Sequence, residues 1–285
     1  MRYYLICIFL CAPCLIKAQS ATEYIVIGDS LYANNENDNA SLMYERAYFY
    51  STEVQISAEA ILKKVECLKK KGAFREVKQQ LDKISFSILP TELHPRWHYE
   101  IAYSAFCSKE FDRAENQIKL YEALTIDSTF RKSMLFLKVV TFSNEFKWDE
   151  MNSALEQYIN FVLPENNRQT YLDVASDLLN HKPKYRHPDR ARLLSYIPGL
   201  GQLYAGYPIE GAFSFLLNAS ALSFGIYQIV NGFPFTGYFG GAGLLQAFYF
   251  GGQNRAAVLC VKKNEKNRKR FIGNVIGILT KVSKD

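Results

Sequence analysis

Hydrophobic positions obey three different rules along the 285-residue chain. From Tyr3 to Ile16, 14 residues form one apolar run behind a short basic start, Met1-Arg2. A run of that length suits the core of an export signal and is short for a membrane span, which needs about 20 residues. Between residues 21 and 163, apolar and small residues instead recur at an interval of 37. Ala40, Val77, Ala114 and Met151 mark the interval, with Gly28, Val65, Ala102 and Val139 standing 12 positions before them. Tyr44, Leu81, Ile118 and Leu155 follow by four positions, and Ala47, Ile84, Tyr121 and Tyr158 by seven. Such offsets predict pairs of packed helices joined by short turns, with Phe74, Phe111 and Trp148 plugging successive turns. Tyr171–Asn180 is expected to close the last pair.

The third rule starts near Leu193. Ile209–Val230 is a 22-residue apolar run, and Phe233–Phe250 supplies 18 more after the Asn231-Gly232 break. At 1.5 Å per residue the first run is long enough for about 30 Å of hydrocarbon. Two uncharged runs joined by a tight turn predict a transmembrane helical hairpin, since lipid leaves few alternatives to helices. Ala221 and Gly225 on the first run, with Gly237 and Gly241 on the second, offer close helix contact. The predicted fold is all-α: a solenoid of helical hairpins followed by a membrane hairpin.

The register of Gly28, Ala40 and Ala47, then Gly72 and Phe74, then Ala102, Phe111 and Ala114, then Trp148 and Tyr158 resembles the tetratricopeptide repeat, stretched from 34 residues to 37. Val77 and Met151 depart from its small-residue position. The resemblance implies stacked helix pairs that bind a protein partner, with Gly28, Ala40, Phe74, Ala102, Phe111, Ala114 and Trp148 as packing residues.

Net charge is +6, but it is unevenly placed. Residues 182–192 carry a net +4 and residues 262–270 a net +5, whereas residues 19–181 hold 18 basic and 24 acidic side chains. From Leu193 to Asn254 the only formal charge is Glu210. The basic clusters therefore flank the apolar block, where they can meet anionic lipid headgroups. No aromatic or glycine-rich recognition motif accompanies them, so nucleic acid is not expected as a partner. The division expected is 1–18 signal peptide, 19–180 repeats, 181–192 basic linker, 193–261 membrane domain and 262–285 basic tail.

Ahead of the first apolar run stands Pro198-Gly199-Leu-Gly201-Gln202-Leu-Tyr204-Ala-Gly206. The motif resembles the opening of small two-span membrane domains akin to the TM2 domain, and particularly a bacterial envelope family joining an exported amino-terminal region to a PGxGQxY hairpin. No catalytic role is assigned to that family. Pro198 stops a helix and the glycines permit sharp turns, so the segment is read as an elbow seating the hairpin. Glu210, Asn218, Gln228 and Gln246 are the polar residues within or beside the expected spans. Glu210 fits a helix N-terminus, where a carboxylate complements the dipole, and the amides are expected to bond between helices.

Catalytic and metal-binding patterns are missing. His94 and His98 are separated by Pro95, His181 and His187 stand apart, and HExxH, GxSxG and P-loop signatures are absent. Ser195 reads as a cap. Cys67, Cys107 and Cys260 show no CxxC spacing, and Cys67 and Cys107 read as buried free thiols. With no catalytic, cofactor or metal residues, the chain is expected to be a non-enzymatic scaffold of the bacterial inner membrane. Its repeats would face the periplasm and bind a protein partner, and lipids would surround its anchor. The alternative is a transport or insertion accessory factor acting through the hairpin. Basic flanks on both sides favour the cytoplasm by the positive-inside rule, and the export signal is given precedence over them.

Overall fold

The computed structural model describes residues 20–124 and 129–284. The expected signal peptide at 1–18 lies outside them. The described residues are helical, with no strand among them. Two compact units divide the chain, one reaching to Met134 and one starting at Leu135.

In the first unit three helix pairs follow one another: α1 (Ala21–Ala33) with α2 (Asn37–Tyr50), α3 (Val54–Lys71) with α4 (Phe74–Leu81), and α5 (His94–Cys107) with α6 (Phe111–Leu124). Every position of the 37-residue register is buried, both in these pairs and in α7 (Arg131–Asn144) and α8 (Trp148–Val162). Gly28 shows why the small positions matter. A Cβ there would meet the Tyr44 ring at 2.5 Å. Tyr44 in turn donates its hydroxyl to Asp29 at 2.7 Å, and Lys63 pairs with the same carboxylate at 2.9 Å.

The backbone repeats with the same interval. Asn35, Gly72, Lys109 and Phe146 all have positive φ, between 61° and 73°, and each is 37 residues from the next. The residue after each donates its amide five positions back, at 2.8–3.1 Å: Glu36 to Leu31, Ala73 to Leu68, Glu110 to Ala105, and Lys147 to Phe142. These bonds satisfy carbonyls left open at the helix ends. Only one of the four positions is glycine. Phe146 keeps a left-handed backbone while its ring packs against Trp148 and Tyr185, with centroids 5.4 and 5.1 Å away.

The second unit continues with α9 (Glu165–Asn180), two short helices α10 (Pro188–Leu194) and α11 (Leu200–Tyr204), then α12 (Pro208–Val230). A short turn α13 (Pro234–Thr236) and a π-wound segment (Gly237–Ala242) lead into the 40-residue α14 (Gly243–Val282). Among the described residues α12 is the one helix long and apolar enough to cross a membrane. The second expected span is wound through the π segment into α14 and is not a separate helix.

The segments expected as basic linker and basic tail both make specific contacts. The segment 181–192 is not a free linker: Arg186 is clamped by buried Asn264, whose Oδ1 accepts from the Arg186 amide at 3.0 Å and whose Nδ2 donates to its carbonyl at 2.6 Å. Nor is 262–285 a loose tail. Phe271, Val275, Ile278, Leu279 and Val282 are buried on α14, and Phe271 stacks edge-on against Trp148 at 4.8 Å. The basic side chains of 262–270 had concealed this apolar stripe, whose spacing is helical.

Candidate functional site

The PGLGQLY segment turns twice within nine residues, and each glycine is there for space or for backbone freedom. Gly199 has φ 93° and lies against the backbone of Gly211, so that a Cβ would collide with the Gly211 carbonyl. A Cβ on Gly201 would strike both the Ser195 hydroxyl and the Ala191 carbonyl. Gly206, with φ 86°, leaves room for the Arg186 guanidinium, which donates to the Tyr204 carbonyl. The Tyr204 hydroxyl accepts from the His187 amide at 3.2 Å. Ser195 caps its own helix by donating to Ala191 at 2.9 Å. A small core of Ala191, Ala205, Ala256, Leu259 and Cys260 completes the elbow. Ser195 thus stands at the C-cap of α10.

Beside the elbow, α12 and α14 bound a cleft of about 310 Å³. Gln202, Glu210, Ser214, Asn218, Gly252 and Arg255 supply its polar wall, and Phe213, Leu217, Ala247 and Phe248 its apolar wall. Glu210 and Arg255 form a two-pronged ion pair, with Nε and Nη2 of Arg255 at 2.9 and 3.1 Å from the two carboxylate oxygens. Glu210 stands in the first turn of α12, where a carboxylate complements the helix dipole, and it pairs with Arg255 as well. Gln202, within the elbow motif, is buried at 2% exposure and donates its Nε2 to the Gly252 carbonyl at 2.9 Å. Asn218, at 4% exposure, donates its Nδ2 to Ser214 within its own helix at 2.8 Å. Both amide oxygens, Gln202 Oε1 and Asn218 Oδ1, are buried without a hydrogen-bond donor. A buried acceptor with no donor costs about 1–3 kcal/mol, so two of them in one cleft are an unusual feature.

The polar residues predicted from sequence thus divide. Glu210, Asn218 and the elbow residue Gln202 come together, whereas Gln228 is half-buried and Gln246 exposed, and neither lines the cleft. Arg255 and Ser214 escaped the sequence reading. Arg255 is the first charge after the uncharged stretch, and that position was a signal that it could answer Glu210. Beyond the cleft, the small residues meet as expected. Gly225 and Gly241 touch backbone to backbone, a Cβ on Gly237 would meet the Gly225 carbonyl at 2.7 Å, and Ala221 is buried beside them.

In the first unit an open groove of about 310 Å³ lies along α4, α5 and α6, walled by Phe74, Arg75, Lys78, Gln79, Ser104, Ser108 and Arg113. Arg113 is engaged with Glu110 and Asp82 at 3.6 and 3.9 Å, while Arg75 and Lys78 are exposed and, among the described residues, have no carboxylate against them. Titratable groups deeper in this unit serve packing. Burial raises the Glu100 carboxyl despite Lys69 at 3.0 Å. It lowers His98, whose ring stacks on Phe86 at 4.6 Å and whose Nδ1 lies 3.1 Å from Gln117 Oε1. His94 is 3.0 Å from the Leu89 carbonyl. No cluster of three or more metal-binding side chains occurs among the described residues.

Comparison with protein-family models, with curated proteins and with solved structures returned no match in any of the three.

Proposed function

We propose that the protein is a membrane-anchored envelope scaffold that binds a protein partner through degenerate tetratricopeptide-like repeats and carries out no catalysis. The observation that carries the reading is the reversed burial of α12 and the helical turn after it. Phe213, Phe215, Leu216, Ile226, Val230, Phe233, Phe235, Tyr238 and Phe239 are all more than half exposed, while Gly211, Ala221, Gly225, Gly237 and Gly241 are buried. A water-soluble domain rarely leaves so large an apolar surface uncovered, whereas lipid accepts it and rewards small residues between helices. Packing of the end of α14 against Trp148 supports a hairpin that leaves and returns on the same side. The basic residues around 182–192 and 262–270 then lie at headgroup level on that side. An export signal would make it the periplasmic side of the inner membrane.

For the partner, the groove with unpaired Arg75 and Lys78 suits an acidic segment. Two measurements on the full chain test the proposal. Alkaline carbonate should leave the protein in the membrane pellet, and a photo-crosslinker at Lys78 should capture one discrete partner that Arg75→Glu releases. Release by carbonate defeats the anchor, and capture unaffected by Arg75→Glu defeats the groove.

A second reading, a transport or insertion accessory factor, draws on the cleft. If it holds, converting Gln202, Glu210 and Asn218 together to apolar residues abolishes function, and Arg75→Glu leaves it intact.

A further inference from the structure

We infer that the elbow formed by α10 and α11, with the adjoining turn of α14, docks onto the anionic phospholipid headgroups of one leaflet and sinks its outer apolar face into the top of the acyl region. This rests on the membrane anchor proposed above and names the lipid that the anchor meets.

The contacts of the elbow with α14 fix its depth. Gln202 on α11 donates to the Gly252 carbonyl at 2.9 Å, and a Cβ on Gly201 would meet Ala256 at 2.9 Å. α11 therefore lies along the end of the uncharged stretch, which closes at Asn254. Ala191 on α10 packs with Ala256, Leu259 and Cys260, about one turn further on. The first charges after the stretch, Arg255 and then Lys262 and Lys263, bracket that contact. α10 thus stands where α14 changes from apolar to basic, the level at which acyl chains give way to headgroups.

The elbow surface is sorted in the same order. Leu193, Tyr196, Ile197 and Leu203 are all more than half exposed, although water would drive such side chains inward. An exposed apolar face beside basic residues, on helices too short to span, is the composition of an element lying in the membrane interface. Arg190 and Arg192 flank buried Ala191, and Lys262 and Lys266 follow Cys260 on α14, so clusters far apart in sequence form one basic patch. Arg192 is 3.9 Å from Asp189, and Arg268 and Lys269 share Glu265. Arg190, Lys262, Lys266 and Arg270 are exposed, and among the described residues none of them forms an ion pair. Unanswered cations at headgroup depth favour a phosphate carrying net negative charge, because a zwitterionic headgroup brings its own ammonium and cancels the attraction. Nucleic acid would meet the cations and leave the apolar face in water.

The test uses the full-length protein in nanodiscs of equal parts phosphatidylglycerol and phosphatidylcholine with identical acyl chains. Native mass spectrometry counts the lipids that stay bound after release. Phosphatidylglycerol should be retained over phosphatidylcholine by about fivefold for each cation that reaches a headgroup. Arg190→Gln and Lys262→Gln should each reduce that preference about fivefold. Lys281→Gln, about 30 Å beyond Cys260 at 1.5 Å per residue, should leave it unchanged. A nitroxide at Leu203 should be reached by oxygen and shielded from a water-soluble nickel chelate. Equal retention of the two lipids overturns the inference and leaves the anchor standing, as does an equal effect of all three variants or free access of the chelate to Leu203. A protein that stays monodisperse in water without detergent or lipid overturns anchor and inference together.

Discussion

In the helix pairs up to Met134 the largest side chains go inward: Trp97, Tyr44, Ile61, Leu62 and Leu81 are at most 2% exposed, and charges cover the outside. Between Pro208 and Ala242 the arrangement is turned over. Phenylalanines and isoleucines face out, and the buried positions belong to glycine, alanine and one asparagine. The same chain thus follows two rules of burial, and on the proposed membrane anchor the solvent accounts for both. In water, removing apolar area gains about 25 cal/mol per Å², so bulk is placed inside. Against lipid that gain vanishes, and contact between helices depends on close backbone approach and on polar groups.

The largest effects should separate the two regions. Trp97 sits in the core of α3, α4 and α5, and Trp97→Ala should cost about 4 kcal/mol in urea unfolding of the repeats. Phe235, at 79% exposure, should behave oppositely: Phe235→Ala should leave the unfolding midpoint unchanged and weaken partitioning into vesicles. A midpoint shift as large as that of Trp97→Ala would erase the distinction.

Next in size is Gly241→Val. Its side chain would run into Gly225 backbone, which cannot rotate away. We expect about 2–3 kcal/mol of destabilisation, read as a lower melting temperature in detergent, and a lost crosslink between cysteines placed at Ala221 and Leu245. Gly243→Val two residues on, where a Cβ meets nothing within 4 Å, should cost far less.

Smaller still is the strain at the repeat turns. Lys109 holds φ 63°, a conformation costing a non-glycine residue about 1–2 kcal/mol, so Lys109→Gly should stabilise the first unit by about 1 kcal/mol in urea melts. Phe146→Gly should gain less or nothing, because it also forfeits ring contacts with Trp148 and Tyr185.

The smallest effect is in pH. His98 is held below its ordinary value of 6.5 by burial. Its neutral form is favoured by folding, so its contribution is present above pH 6.5 and is lost as pH falls through the depressed value. Glu100 works the other way: its carboxyl is raised, and it costs stability as pH rises through that value. His98→Gln should therefore unfold less readily than the unmodified chain at pH 5, relative to their difference at pH 8, in paired denaturant titrations.

Much of this contrast was legible in the sequence. The 37-residue register could be read because the same four offsets bear apolar or small residues in every repeat, and all of those positions are buried. The left-handed turns could not, since Asn35, Lys109 and Phe146 have no common side-chain chemistry and only Gly72 advertises its conformation. Their geometry comes from the packing of the paired helices and from the amide bond that closes each helix end. The same limit applied at the cleft. The uncharged stretch made Glu210 conspicuous, but Arg255 becomes its partner only once α14 runs back beside α12. The partner of Gln202 was not legible either, because nothing local announces that Gly252, 50 residues away, will accept its amide proton. The stripe of Phe271, Val275 and Ile278 was legible in principle, hidden only by the charges around it.

The claim under all of this is that the outer face of α12 and the turn after it lies against lipid. Nitroxide side chains introduced at Phe213, Phe224 and Phe235 of the full-length protein in vesicles measure it directly, by collision with oxygen and with a water-soluble nickel chelate. The account predicts high oxygen and low chelate accessibility at all three, and the reverse at Glu76 on the repeats. Chelate accessibility at Phe213, Phe224 and Phe235 equal to that at Glu76 would contradict it.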